Sequence, residues 1–193
     1  MHLFWRSFLR HAAVQSTSGA IRTLDGLESA WVHSALVINN GTYFTSPISS
    51  EGDLKRRLAA AVDDARPHGL PWALYLYEPY VATIDPDRVA SITAEFGLSR
   101  VLGIQVMTGD VHGLRPPARP LPELEFSRIT TREDAQIAFD INLRSYGMPL
   151  SMADSVLDSG AYFRDPQREF GVIARVGAVP VSTATVVALD GWL

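Results

Sequence analysis

The five histidines, His2, His11, His33, His68 and His112, are the side chains of this 193-residue sequence best suited to proton transfer or metal binding. No two stand four apart on a predicted helix and none falls in a metal motif, so their spacing assigns no metal site. Cysteine is absent. That removes disulfides, thiolate ligands and a thiol nucleophile, and it fits a reducing compartment, with the cytoplasm as the expected location. Ser182, Thr183 and Thr185 offer hydroxyls, but no argument from sequence sets a histidine beside them, and they read as ordinary strand residues. The acidic pairs read as helix ends rather than acid–base dyads: Asp63-Asp64 closes a helix beside Arg66, and Asp85-Pro86-Asp87 opens one. Asp140 and Asn142, on either side of Ile141, read as solvated positions on a helix surface.

Composition narrows the partners. The formal net charge is -4 with 47% apolar and 20% charged residues, and the basic residues are scattered, which argues against nucleic acid as the main partner. No segment reaches the roughly 18 consecutive apolar residues of a membrane span, so no membrane role is expected. The first 24 residues carry Arg6, Arg10 and Arg22 and no acid, a bias shared with organellar transit peptides. Leu3, Phe4, Trp5, Phe8 and Leu9 recur at helical spacing, however, and predict an amphipathic helix docked on the first lobe. Arg10 and His11 interrupt what a secretory signal would need as its apolar core.

The elements that must position any site fall on both sides of a proline-rich seam at 113–124, where Pro116, Pro117, Pro120 and Pro122 favour an extended connection. Before it, residues 36–45 read as a strand containing an Asn39-Asn40-Gly41 turn signal, or as two short strands around it. A helix follows, capped by Ser50 with Asp53 and striped by Leu54, Leu58, Ala61, Val62 and Ala65. Residues 72–77 read as a buried strand, Asp85 and Pro86 open a second helix closed by Gly97, and 100–108 reads as another strand. After the seam come a strand at 125–129 and a helix with Thr130 and Glu133 at capping-box spacing. A shorter helix starts at Ser151, and strands at 170–176 and 181–189 form a hairpin. Asp190-Gly191 is a hairpin turn signal, so the 181 strand is expected to present an unpaired apolar edge, a route to oligomers or a domain swap.

The run from Arg168 to Thr185, an apolar strand, then Gly177-Ala178-Val179-Pro180-Val181, then small residues and threonines, resembles the second and third strands of the GNAT N-acetyltransferases. Asp25-Gly26-Leu27-Glu28-Ser29-Ala30-Trp31, His68-Gly69-Leu70-Pro71-Trp72 and Ala94-Glu95-Phe96-Gly97-Leu98 resemble the degenerate amino-terminal GNAT-like lobe of a subgroup of that family. The resemblance implies an α/β (α+β) fold, a mixed sheet flanked by helices, in two lobes with the second incomplete. Residues 1–112 would form the degenerate lobe, 113–124 the linker and 125–193 the first half of an acetyltransferase domain.

By the same resemblance the activity is transfer of acetyl from acetyl-CoA, as co-substrate and without a metal, to a small-molecule or peptide amine attacking directly in a ternary complex. The loop Tyr146-Gly147-Met148 would then border the acceptor site. The family's Gln/Arg-x-x-Gly-x-Gly/Ala pyrophosphate loop has no match: Leu102-Gly103 and Val111-His112-Gly113 lack its spacing. The expectation is therefore a chain truncated before the cofactor motif, with no cofactor-binding residues of its own and inactive as a fragment. The catalytic base is unassigned. The competing reading is a non-enzymatic pseudo-acetyltransferase module that binds a small molecule or a protein.

Overall fold

The computed structural model describes residues 2–101, 103, 113, 115, 123–165 and 167–189. Most of the strand expected at 100–108, most of the proline seam and the Asp190-Gly191 turn with Trp192 lie outside the described residues.

The first lobe is a four-stranded sheet in the order β1-β2-β3-β4. Strands β1 (Ala20–Leu24), β2 (Leu27–Trp31) and β3 (Asn40–Phe44) pair antiparallel, and β4 (Ala73–Tyr75) joins β3 in parallel. Parallel neighbours need a crossover, which is supplied by α2 (Glu51–Ala65). Every residue of β2 and β3 is buried because both faces are covered. Ala30, Val32 and Tyr43 pack against Leu9, Ala12 and Ala13 of α1 (His2–Gln15), as the amphipathic pattern of that helix predicts. On the opposite face, Leu27 and Phe44 pack against Leu54 and Leu58 of α2 and against Ile92 of α4 (Pro86–Glu95). A short helix, α3 (Glu78–Val81), precedes α4.

Local signals explain most of these boundaries. Ser50 accepts a hydrogen bond from the Asp53 amide at 3.2 Å, and Asp85 accepts from Asp87 and Arg88, as their capping positions predict. The β1–β2 hairpin was not anticipated, although Asp25-Gly26 is its turn and Gly26 sits at φ 72°. Asn39-Asn40-Gly41 is not a turn. Asn40 opens β3, and a Cβ at Gly41 would lie 2.6 Å from the Tyr75 ring and 3.2 Å from Leu9, so glycine is required there by close approach.

The second lobe is a three-stranded antiparallel sheet in the order β5-β6-β7. It comprises β5 (Glu125–Arg128), β6 (Glu169–Val176) and β7 (Val179–Val187), with α5 (Arg132–Ser145) and α6 (Met152–Ser159) between β5 and β6. Ile129, Ala135, Ala138 and Ile173 form its core, joined by Ile137, Ile141, Leu157 and Phe163. The capping box of α5 lies one residue later than expected. Thr131 accepts from the Asp134 amide and Asp134 accepts from the Thr131 amide, both at 3.1 Å. Ser151 makes no side-chain cap, and Phe163 falls beyond α6 at φ 60°. The β6–β7 hairpin forms as predicted. Its register shifts between Ala174 and Arg175, opposite Pro180, which a regular ladder would not accommodate. Among the described residues β7 pairs only with β6, and Val179 and Val181 on it are exposed.

Candidate functional site

The loop between α5 and α6 is built by a helix stop. The Tyr146 amide donates to Asn142 O and the Met148 amide to Leu143 O at 2.8 Å, while Gly147 takes φ 65°, the left-handed conformation that ends α5. Tyr146 projects outward at 79% exposure, whereas Leu143, three residues earlier, is buried. Met148 is half-buried. The loop thus presents a phenol and leaves a thioether partly accessible, groups that can line an acceptor surface without supplying a base.

A cavity of about 610 Å³ lies at the other end of α5. Arg128, Arg132 and Arg164 border it, Leu157 and Phe163 form apolar wall, and Glu169 is the one acidic residue among the described lining residues. The backbone N–H of Thr130, with the hydroxyl and amide of Thr131, holds the Asp134 carboxyl below its usual range, so the helix terminus is already satisfied by its own cap.

Between the lobes the chain buries polar partners that are remote in sequence. His11 Nε2 on α1 lies 2.7 Å from Glu169 Oε1, and Glu169 Oε2 accepts from the Phe163 amide. Tyr162 donates to Asn39 Oδ1 at 2.6 Å, the Ala35 amide to Ser155 Oγ at 2.8 Å, and the Thr17 amide to Ser159 O at 2.9 Å. Ala161 is fully buried in the cluster formed by α1 and β2. Sequence reasoning found none of the pairs that join the two lobes, because nothing in local spacing relates residues more than a hundred positions apart.

Two further buried groups escaped it. Asp64 was assigned to a helix end beside Arg66, but it is only 4% exposed. It accepts from Ser29 Oγ at 2.6 Å and from Arg22 at 2.5 Å, while Asp63 takes the Arg66 pairing. His33 and His68 meet at 3.0 Å, with His68 stacked on Trp31 at a centroid separation of 3.8 Å. Burial, and secondly the charge of His33, lower the His68 pKa. On the other face of the sheet, Glu28 accepts from Tyr43, Arg10 and Arg6. Burial alone would raise its carboxyl, but these bonds outweigh it and hold it below its usual range.

Among the described residues no cluster of three His, Cys, Asp or Glu is arranged for a metal ion. No described helix opens from a glycine-rich loop either. α5 begins at a self-satisfied capping box and α6 begins after Pro149 and Ser151, so the described residues do not fit a pyrophosphate cradle. No described helix is long and apolar enough to cross a membrane.

A mixed α/β structure of two sheets flanked by helices, with the order strand, helix, helix, antiparallel hairpin in the second lobe, defines a GNAT-like fold. A solved structure described as a GCN5-related N-acetyltransferase from Kribbella flavida superposes with a TM-score of 0.60 at 14% identity, over 97% of this chain and 67% of that one. The likeness is one of fold. No family model matches the sequence, and no curated protein matches it.

Proposed function

We propose that this protein acts as an N-acetyltransferase that passes acetyl from acetyl-CoA to a small-molecule or peptide amine. The carrying observation is the fold likeness to a GCN5-related N-acetyltransferase across 97% of the chain, both lobes included. On this reading the loop at Gly147 borders the amine: Tyr146 offers a phenol that donates or accepts, and Met148 an adaptable apolar contact. The role of the described residues is to hold and orient the acceptor. The cofactor's phosphates are assigned to none of them.

The test is thiol release from acetyl-CoA by the full-length gene product, measured against a panel of small amines and peptides with free amino groups. Amine-dependent release supports the reading. A folded protein that neither binds acetyl-CoA nor releases thiol would sink it and favour a non-enzymatic module, for which the exposed valines of β7 are the supporting observation.

A further inference from the structure

The cavity at the start of α5 has a charge and shape that the acceptor loop does not use. Its volume, about 610 Å³, lies within the range of small-molecule sites. The walls at Ile129, Leu157 and Phe163 are apolar. Glu169, the only acid among the described lining residues, turns one oxygen to His11 and the other to the Phe163 amide, so both are engaged within the protein. Arg132 and Arg164 therefore border the space with no free carboxylate among the described lining residues to answer them. Arg132 has a partner outside the cavity, Asp158 at 2.6 Å, in a pair that is exposed on both sides. Arg164 donates to a main-chain oxygen, Gln15 O at 3.5 Å, and Arg128 lies 4.9 Å above the Phe170 ring.

We propose that this cavity binds a small organic anion, its apolar body against Leu157 and Phe163 and its phosphate or carboxylate held by Arg164 and Arg132. Guanidinium forks suit such oxyanions, and a partly enclosed apolar wall strengthens the attraction. The site is distinct from the acceptor loop. It lies at Arg132 and Ala135, whereas Tyr146 follows the far end of α5, and the 14 residues of that helix span roughly 21 Å. The inference does not depend on the acetyltransferase reading.

The test is an NMR titration of the whole chain with phenyl phosphate, with benzyl alcohol as the neutral probe. Saturable shifts are expected at the amides of Thr131, Gly160 and Phe163, with benzyl alcohol at least about tenfold weaker. The double variant Arg132→Gln, Arg164→Gln should weaken phenyl phosphate about tenfold or more. Asp158→Asn, which releases Arg132 from its outside partner, should tighten it about two- to threefold, a gain that misfolding would not produce. Absence of saturation, equal binding of benzyl alcohol, or indifference to these substitutions would each overturn the proposal.

Discussion

His11 and Glu169 sit 158 positions apart in sequence and 2.7 Å apart in space, with side chains only 9% and 3% exposed. The carboxylate does two things at once. One oxygen holds α1, the helix that covers the first sheet, and the other holds the amide of Phe163, whose φ of 60° is uncommon for a non-glycine residue. The interface between the lobes is thereby tied to the local geometry of the segment that follows α6.

Replacing Glu169 with alanine leaves a buried imidazole and a main-chain donor unanswered. A loss of about 2–4 kcal/mol in unfolding free energy is expected by urea denaturation. Glu169→Gln, which keeps an acceptor oxygen, should lose less. A change below about 0.5 kcal/mol for the alanine variant would mean that water replaces the carboxylate at no cost.

The His33–His68 contact predicts acid sensitivity. The His68 pKa is lowered in the folded protein, by burial first and by His33 second, against an opposing pull from Asp64. Above the unfolded value near 6.5 neither state carries the extra proton, and stability is complete. As pH falls below that value, the unfolded chain binds the proton more readily, and stability declines until the folded value is passed. The urea midpoint should therefore drop between about pH 7 and pH 5, and His68→Gln should flatten that part of the profile. An unchanged slope in the variant would assign the acid sensitivity to other groups.

Gly41→Ala places a methyl 2.6 Å from the Tyr75 ring and 3.2 Å from Leu9. Overpacking of this kind costs about 1–3 kcal/mol, and thermal unfolding should show it as a lowered midpoint. A wild-type midpoint would show that α1 and β4 separate easily from β3.

Tyr146→Ala, at a side chain 79% exposed, should change stability by no more than about 0.5 kcal/mol. On the acetyltransferase reading it should raise KM for the amine and leave acetyl-CoA affinity unchanged. Gly147→Ala, at φ 65°, should cost about 1 kcal/mol through backbone strain alone. Equal acceptor kinetics in wild type and Tyr146→Ala would remove this loop from the acceptor surface.

The elements legible in the sequence were those whose signals are local. The caps at Ser50 and Asp85, the stripe of Leu54 and Leu58 and the hairpin around Gly177 all depend on residues a few positions apart. Asn39-Asn40-Gly41 misled because the same residue types serve turns and close packing, and only the approach of Tyr75 and Leu9 separates the two. The candidate site was less legible. The loop at Gly147 was marked by its helix stop, but the cavity beside Glu169 is assembled from the end of β5, the start of α5 and the segment after α6. Asp64 carried no mark of burial, since its partners Ser29 and Arg22 lie on strands far back in the chain.

The long reach from His11 to Glu169 also has a meaning for synthesis. On a ribosome adding about 5–20 residues per second, the 158 positions between them correspond to a wait of roughly 8–32 s. Throughout that interval α1 can settle on the nascent first sheet through Leu9 and Glu28, both partners being available early. Its imidazole, though, stays uncommitted until β6 emerges, so the union of the two lobes is necessarily a late event in the birth of the protein.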